Sequence, residues 1–536
     1  MIAPCDSTLM HASFTKMFLI SQAEVLAIVS LVLFWGIWGY AEIHLHLPFL
    51  KGRLYHQEPE IIWDLPLRCR LGEDVPLYLL IKDAHRFPVH LLKANVTITH
   101  LASGKKVSTQ LDINRSATER FFFEIFPLSV ELFDAPGDYN LSAELSYRIG
   151  DRETRCRQDN YCYLPKEPFR ITIDREPLPT LENLYWGDLH IHSNYTDDQI
   201  EFGAPIPMIV NCARAMGLHF VAITDHSFDY PEAAEAAHDK WQQFLQECNS
   251  LNGKEGVLVL PGEEVSVGNA KDRNVHCLVL GSKQFFPGKG DGRLFRTKPT
   301  LNLSQLFASL KSTGNSAIVA AAHPFDHIPG THRWFLRRDN WHSKDLEQPA
   351  LDYWQILNGR VDEAFYEGKG RWVEKLLEGR KIGILGGTDA HGNFNNFRQI
   401  RIPLLQMIYH REQLLGQTRT GILVEEKLTL TSLQDALVKK RVIVSNGPAG
   451  MVSVYQGTEK FFPGDVVPSQ TPFKLMVEAR SSEYFGTLSH LKLCIGKMGN
   501  RGEQIKTIYL SENSFHYRQE MDFSNGLPEG YLRLEV

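Results

Sequence analysis

Two histidines separated by one residue, His190 and His192, are the part of this sequence best suited to chemistry. A short apolar and aromatic run that begins at Tyr185 leads into them and is typical of a strand. Because residues i and i+2 of a strand point to the same face, both imidazoles are expected on one side of the strand end. Imidazole is the commonest protein metal ligand, so the pair indicates a metal site. For one His-x-His alone, two half-buried histidines without a metal are an equally good explanation.

Similar groups stand at the ends of further strand-like runs along the chain. They are Asp225 with His226, Glu263 with Glu264, His276, His323, and Asp389 with His391. An apolar strand with an ionisable residue at its C-terminal end is typical of the active site of an α/β barrel. We therefore expect these side chains to converge on one mouth.

Helical patterns alternate with these runs. They cover Pro205–Gly217, Pro231–Ser250, Leu301–Gly314 and Val361–Gly379. Alternating strands and helices indicate βα units around a parallel sheet. If Tyr353–Asn358 is included, seven strand-like runs can be counted.

Six short motifs, taken in order, resemble the PHP (polymerase and histidinol phosphatase) superfamily. They are DLHIHS, AITDHS, PGEEVS, NVHCLVLG, AAHP and GGTDAHG, and they span about residues 182–446. Together with the short β runs that follow it, this region looks like the CehA/McbA-type metallohydrolase branch, which includes a carbamate hydrolase. The resemblance implies a multidomain α/β protein with a distorted (β/α)7 PHP barrel over residues 182–446.

The resemblance also implies a centre of two or three divalent transition-metal ions. The implied ligands are His190, His192, Glu264 and Asp389 for one ion, Glu264, His276 and His323 for a second, and Asp197, His226 and His391 for a third. A mixed set of nitrogen and oxygen ligands suits Zn, Mn or Fe better than Ca or Mg.

Some assignments in this set stay open. Asp198 competes with Asp197, although a Ser-Asp-Gly form in other members favours Asp197. Gly-x-Glu spacing favours Glu264 over Glu263, which is then expected to be a surface carboxylate. Asp188 and Asp225 are expected to orient imidazoles of the centre or to be structural.

The implied function is that of a metal-dependent hydrolase in which a metal-bound hydroxide attacks a small-molecule substrate. Glu264 would bridge two ions, and His226 or His391 would help to protonate the leaving group, which makes these three the candidate catalytic residues. Membership of the superfamily would favour phosphoesters as substrates, whereas the resemblance to the CehA/McbA-type branch also makes carboxyl esters and carbamates candidate substrates. A non-catalytic, membrane-tethered binding protein is the further alternative.

Composition bounds the class of protein. The chain has 536 residues, of which 43% are hydrophobic and 22% charged, as in globular proteins. The net charge is −6 and the pI about 6.4, so no nucleic-acid partner is expected.

The N-terminal segment, residues 1–48, contains an uncharged run over residues 25–41. Seventeen residues is the lower limit for a spanning helix, and flanking Trp and Tyr suit a membrane interface. We favour a membrane anchor over a secretory signal that is cleaved after Ala41. Cys156 and Cys162 are either a disulfide or two free thiols. The prediction is therefore a membrane-anchored protein with an extracytoplasmic catalytic part.

Two regions flank the predicted barrel. Residues 55–177 alternate apolar and polar residues in short runs that turn residues separate, which predicts a β-sandwich. Residues 447–536 contain similar runs and predict a small β domain. The sandwich carries no catalytic constellation, so we expect it to be a spacer or a recognition module.

Overall fold

The computed structural model describes residues 58–160, 166–196, 203–291, 298–312, 317–401 and 406–536. Its N-terminal region consists of strands that alternate buried and exposed positions, as in β4, where Ala94, Val96 and Ile98 are buried. The strands of this region are β1 (Glu60–Asp64), β2 (Arg68–Arg70), β3 (Val75–Lys82), β4 (Val89–His100), β5 (Lys106–Ala117), β6 (Phe121–Leu128), β7 (Gly137–Ile149), β8 (Arg152–Arg157) and β9 (Phe169–Asp174).

These strands form two sheets that share one core. The first has the order β1-β3-β6, and the second has the order β2-β9-β7-β4-β5 with β8 paired to β7. Ile61 and Leu77 of the first sheet belong to the same hydrophobic cluster as Val96 and Leu141 of the second. Burial of both inner faces therefore stabilises the pair of sheets.

The central region contains one large sheet and a separate hairpin. Its strands are β10 (Leu184–His192), β11 (Phe220–Ile223), β12 (Leu258–Gly268), β13 (Asn274–Leu280), β14 (Ile318–Ala321), β15 (Tyr353–Asn358), β16 (Gly383–Gly387), β17 (Ala390–His391), β18 (Phe397–Arg401), β19 (Gln406–His410), β20 (Arg419–Leu423) and β21 (Val442–Ser445). The large sheet has the order β16-β15-β14-β13-β12-β11-β10-β20-β21, and β17 pairs with β10.

The predicted distorted (β/α)7 barrel is wrong, because this sheet is mixed. β13 is antiparallel to both β12 and β14, and β20 is antiparallel to both β10 and β21. The physical reason lies in the connection from Gly268 to Asn274, which is a short turn. A parallel crossover needs a dozen or more residues, so this turn forces an antiparallel pair. Strands predominate along the described chain, and it is not an α/β barrel protein.

The two ends of the large sheet approach each other. The Thr420 hydroxyl of β20 accepts a hydrogen bond from the Gly386 N–H of β16 at 2.9 Å and donates to the Gly386 carbonyl at 2.7 Å. Thr418 Oγ1 donates to the Gly387 carbonyl at 2.7 Å. Hydrogen bonds from threonine hydroxyls thus join β16 and β20 in place of backbone-to-backbone hydrogen bonds. The sheet is therefore a nearly closed barrel.

Helices pack on the outside of this sheet. They are α1 (Ile206–Met216), α2 (Ala234–Leu251), α3 (Leu303–Ser312), α4 (Gly330–Phe335), α5 (Ser343–Leu346), α6 (Glu363–Leu377) and α7 (Leu430–Val438). The four helical patterns of the sequence are confirmed as α1, α2, α3 and α6. In α1 Met208, Ile209, Cys212 and Met216 are buried, and Gly217 with φ 85° ends the helix in the left-handed region.

The C-terminal region has two further sheets. Its strands are β22 (Ala449–Gln456), β23 (Glu459–Phe461), β24 (Phe473–Arg480), β25 (His490–Lys497), β26 (Glu503–Tyr509), β27 (His516–Phe523) and β28 (Gly530–Glu535). They pair in the orders β23-β22-β24-β27 and β26-β25-β28. Leu475 and Val477 of the first sheet pack in one cluster with Leu491 and Leu493 of the second.

The predicted membrane-anchored localisation is not upheld. No helix among the described residues is long and apolar enough to cross a membrane. The run over residues 25–41, on which the prediction of an anchor depended, lies outside the described residues. Cys162 lies outside them as well, but Cys156 is a buried free thiol, which agrees with the free-thiol alternative rather than with a disulfide.

Candidate metal centre

His190 and His192 end β10 and are both fully buried. Their Nε2 atoms lie 3.2 Å apart, as expected for side chains at positions i and i+2 of a strand. Asp389 follows β16, and its Oδ1 lies 3.3 Å from His190 Nε2 and 3.0 Å from His192 Nε2. Three ligand atoms from two segments thus meet at one point.

Glu264, in β12, is the centre of the cluster. Its Oε2 lies 3.4 Å from His190 Nε2, 3.4 Å from His192 Nε2 and 2.8 Å from His226 Nδ1. The Glu264 side chain is fully buried, and Oε2 accepts no hydrogen bond from the part of the chain that the structure describes. A buried carboxylate oxygen in that position is typical of an atom that ligates a cation.

The other carboxylate oxygen of Glu264 faces two further histidines. Oε1 lies 2.7 Å from His276 Nδ1 and 3.0 Å from His323 Nε2. His276 reaches this place because β13 runs antiparallel to β12, which brings its first residues beside the end of β12. One carboxylate therefore joins two groups of imidazoles through its two oxygens.

His391 lies on the far side of His192. Their rings stack with centroids 3.9 Å apart, and His391 Nε2 lies 3.5 Å from His226 Nε2. The two-residue strand β17 carries His391 and pairs in parallel with β10, so that His391 is the register partner of His192.

The structure brings together all the described residues of the predicted ligand set. Three groups have ligand atoms within 4.8 Å of one another, namely His190, His192, Glu264 and Asp389; His226, Glu264 and His276; and His192, His226 and His391. His323 adjoins them through Glu264. Asp197 and its alternative Asp198 lie outside the described residues.

The distances fit a divalent transition metal. Two ligand atoms on one tetrahedral zinc, each about 2.1 Å from the ion, lie about 3.4 Å apart. The separations of 3.2 Å between the His190 and His192 Nε2 atoms and 3.4 Å from each to Glu264 Oε2 match this spacing. The residues that would hold such ions are therefore already arranged as ligands.

The charges at the centre suit cation binding. Burial opposes ionisation of Glu264, but His276 and His190 hold the pKa of its carboxyl well below the usual range. Burial is likewise overcome by His190 at Asp389, whose pKa is also well below normal. Burial and the neighbouring His391 hold the pKa of His192 well below its usual value, which favours its neutral form. In return, Asp389 and Glu264 overcome the effect of burial and raise the pKa of His190 to about 9. Ionised carboxylates and neutral imidazoles are the forms that ligate metals, so a bound metal ion would displace the proton of His190.

Backbone conformation is unusual at two of the candidate ligands. His323 has a φ of 29° and Asp389 a φ of 55°, in a region that residues other than glycine rarely adopt. Such conformations cluster at functional sites, where the surrounding structure holds them. Both residues also have side chains that are 16% exposed, whereas the His190 and His192 side chains are at most 1% exposed.

Two residues that the sequence analysis missed orient the first histidines. Gln355 Oε1 lies 2.8 Å from His190 Nδ1, and Thr196 Oγ1 lies 3.2 Å from His192 Nδ1. These contacts engage the Nδ1 atoms and turn both Nε2 atoms toward the centre. The only signal in the sequence is a polar glutamine within the apolar run of β15.

Asp291 was also missed, and it orients His276. Its Oδ2 lies 2.8 Å from His276 Nε2, and its Oδ1 accepts a hydrogen bond from Ser266 Oγ at 2.6 Å. Arg338 Nε donates to Asp291 Oδ2 at 2.5 Å. Asp291 stands in a loop rich in glycine and lysine, which gives no hint that it is buried.

Asp188 and Asp225 hold backbone rather than imidazoles. Asp225 accepts hydrogen bonds from the Ser193 N–H at 2.6 Å and the Thr196 N–H at 3.0 Å. Asp188 accepts from the Thr388 N–H at 3.0 Å and the His190 N–H at 3.2 Å. Burial raises the pKa of Asp188 to about 6. Both carboxyls fix the backbone segments that carry the candidate ligands. Of the two roles expected for Asp188 and Asp225, the structural one therefore agrees with these contacts.

Glu263 is not a surface carboxylate. It is 1% exposed, and its Oε2 accepts the Phe286 N–H at 3.0 Å. Consecutive residues of a strand point to opposite faces, so Glu263 points away from the centre that Glu264 enters. Burial raises the pKa of Glu263 well above its usual value. This geometry leaves Glu264 as the glutamate at the centre.

Comparisons with known proteins add little. No family model and no curated protein matches the chain. Similar solved structures include a β-glucuronidase from Parabacteroides merdae, with 9% identity, a TM-score of 0.18 and coverage of 87% of this chain and 77% of that one. A putative β-galactosidase from Bacteroides fragilis has 8% identity, a TM-score of 0.19 and coverage of 88% and 74%. TM-scores of this size do not indicate a shared fold or activity.

Proposed function

We propose that this protein is a metal-dependent hydrolase that acts on phosphoesters. The observation that carries the proposal is the Glu264 carboxylate, which lies buried among five imidazoles with one oxygen facing each group of ligands. A merely structural core has no need of so many costly buried polar groups. The order of the six PHP-like motifs supports the phosphoester as first choice, and two or three Zn, Mn or Fe ions as the cofactor.

The residues of the proposed centre would ligate different ions. His190, His192, Glu264 and Asp389 would hold one ion, and Glu264 would join it to a second beside His276 and His323. Ions bound there would acidify a water molecule and polarise the bond that is broken.

The open side of the centre indicates where a substrate enters. The His323 and Asp389 side chains, each 16% exposed, form that side, whereas Glu264 lies fully buried behind them. Approach from this direction places the scissile group beside His323 and Asp389. The buried wall behind them excludes bulk water, and His276 and His190 keep the Glu264 carboxylate ionised against the effect of burial.

The main role of His391 in the proposed hydrolase is that of a metal ligand. Its Nδ1 lies 3.0 Å from the backbone carbonyl of Asp389, which can only accept a hydrogen bond. The proton of the neutral ring therefore sits on Nδ1, and Nε2 presents a lone pair toward His226. A role for His226 or His391 in protonating the leaving group remains part of the proposal.

Carboxyl esters and carbamates are the alternative substrates. A hydrolysis assay on the full chain, loaded separately with Zn²⁺ and Mn²⁺, tests both classes side by side. The probes are p-nitrophenyl phosphate, its bis-ester, an aryl acetate and an aryl carbamate. Turnover of the phosphates alone supports the proposal, and turnover of the carbonyl compounds alone favours the alternative.

A pair of variants assigns any activity to this centre. His192→Ala removes a ligand and is expected to abolish turnover. His90→Ala is the matched control, because His90 lies on the N-terminal β4 and contacts Ser116 and Asn114 instead. Undiminished hydrolysis by His192→Ala would refute the assignment. A folded wild-type chain that binds these ions and hydrolyses none of the probes would favour the binding-protein alternative.

A further inference from the structure

The loop after His391 is fixed by the N-terminal region, in which Asp64 lies 331 positions before Asn395 of the loop. Asp64, the last residue of β1, accepts the Asn395 N–H at 3.0 Å through Oδ1 and the Phe394 N–H at 3.2 Å through Oδ2. Asp64 is 3% exposed. Both oxygens of one buried carboxylate therefore hold the backbone that directly follows a metal ligand.

A side chain of the loop also contacts the backbone of the N-terminal region. The Asn395 amide donates from Nδ2 to the Arg170 carbonyl at 2.8 Å and to the Pro66 carbonyl at 3.4 Å, and its Oδ1 accepts the Arg170 N–H at 3.3 Å. Asn395 is fully buried. Its side chain thus occupies a site that the N-terminal backbone defines.

Packing reinforces these hydrogen bonds. The rings of Tyr78 in β3 and Phe394 in the loop meet edge to face, with centroids 5.0 Å apart. Asp64 and His391 line the same small cavity between the N-terminal sheet and the loop. His391 itself lies in the two-residue strand β17, which pairs with β10 on the side of the metal centre.

We propose that Asp64 is a positioning residue of the metal centre, and that the N-terminal β region is a required part of the site. This inference rests on the proposed function. A ligand on a two-residue strand needs support on both sides, because a metal site depends on ligand positions to within about 0.5 Å. Asp64 supplies that support for His391 through Phe394 and Asn395.

The test compares Zn²⁺ affinity in two aspartate variants of the full chain. Asp64→Asn keeps the shape but places an amide NH2 against a backbone N–H of the loop. We expect its weakest-held Zn²⁺ to bind about 10-fold to 100-fold less tightly, the range for residues that orient ligands. Asp174→Asn is the matched control, since Asp174 is buried and pairs with Arg68 within the same region.

Competition with a chromogenic chelator gives the affinity, and ions per chain are counted after desalting. Asn395→Asp is the second variant, which loses the amide donor to Arg170 and should weaken Zn²⁺ similarly even if Asp64→Asn does not fold. Wild-type affinity in both folded variants overturns the inference. Equal weakening in Asp174→Asn overturns it too, because the effect is then one of general stability.

The outcome is separable from that of the proposed function. Weakened Zn²⁺ binding in the two loop-directed variants supports the positioning role even if the wild-type chain hydrolyses none of the four probes. Conversely, an active wild-type enzyme with unchanged Zn²⁺ affinity in both variants keeps the function and removes the role of Asp64. A wild-type chain that binds no Zn²⁺ overturns both.

Discussion

Asp291 and Glu264 lie on opposite sides of the His276 ring. Asp291 Oδ2 is 2.8 Å from Nε2, and Glu264 Oε1 is 2.7 Å from Nδ1. The ring is therefore fixed at both nitrogens, with Nδ1 directed to the centre. A carboxylate behind a ligating histidine sets the orientation of the ring and raises its basicity.

Asp291→Asn should lower metal affinity and turnover by about 10-fold to 100-fold, because the amide places a donor or a weaker acceptor at His276 Nε2. The assay is a Zn²⁺ titration followed by hydrolysis at saturating Zn²⁺. Asp272→Asn is the control, since Asp272 is half exposed and pairs with Lys298 at the surface. If Asp291→Asn binds and turns over like the wild type, Asp291 has no positioning role.

Metal loading should stabilise the protein. A ligand that binds only the folded chain contributes about 2.7 kcal/mol at a free concentration 100 times its Kd. Thermal unfolding is measured after dialysis against EDTA and again after Zn²⁺ or Mn²⁺ is added, and Tm is expected to rise with ion concentration. The same titration on His192→Ala should give a smaller rise. An equal rise would show that the ions bind elsewhere.

Thr420→Val tests the closure of the barrel. Valine keeps the shape of threonine but leaves the Gly386 N–H and carbonyl without the hydroxyl that both contact. Loss of hydrogen bonds to buried backbone costs about 1–3 kcal/mol, which should appear as a lower free energy of unfolding in urea. Thr97→Val, at an exposed hydroxyl that contacts Ser108, should change it by less than about 0.5 kcal/mol. Equal values for the two variants would contradict the role of Thr420.

His219 should make the fold sensitive to acid. Its Nδ1 accepts the Trp186 N–H at 3.2 Å, and burial lowers its pKa below the usual value. The unfolded chain has a His pKa of about 6.5, so it takes up the proton first as pH falls. The contribution of His219 to stability is therefore complete above about pH 6.5 and decreases below it.

The measurement is urea unfolding in EDTA at pH 7.5 and pH 5.5. His219→Asn, which retains an acceptor but does not titrate, should lose less stability between the two values than the wild type. His90→Asn, at an exposed position, should behave like the wild type. A loss in His219→Asn that equals that of the wild type would assign the acid sensitivity to other groups.

Local structure and ligand types could be predicted from the sequence. The helices over α1, α2, α3 and α6 follow from their apolar spacing, and the strand end at His190 and His192 follows from the i, i+2 rule. The Gly-x-Glu spacing of the PHP-like motif favoured Glu264 over Glu263, and the structure places the two side chains on opposite faces of β12.

Strand direction could not be predicted in the same way. A run such as β13 has the same composition whether it pairs in parallel or antiparallel, and its direction depends on the short connection before it and on its partners β12 and β14. The parallel barrel was therefore the wrong inference from correct elements. The antiparallel direction nonetheless brings His276 to Glu264.

By itself, then, the sequence determined which residues are candidate metal ligands, through their types and the order of the PHP-like motifs, and which local segments carry them. Only the tertiary structure decided that Asp291 lies behind His276, Gln355 behind His190, and Asp64 beside the loop that follows His391. These contacts join residues separated by up to 331 positions. Hydrogen bonds of that kind depend on chain path rather than on local pattern, so no periodicity in the sequence records them.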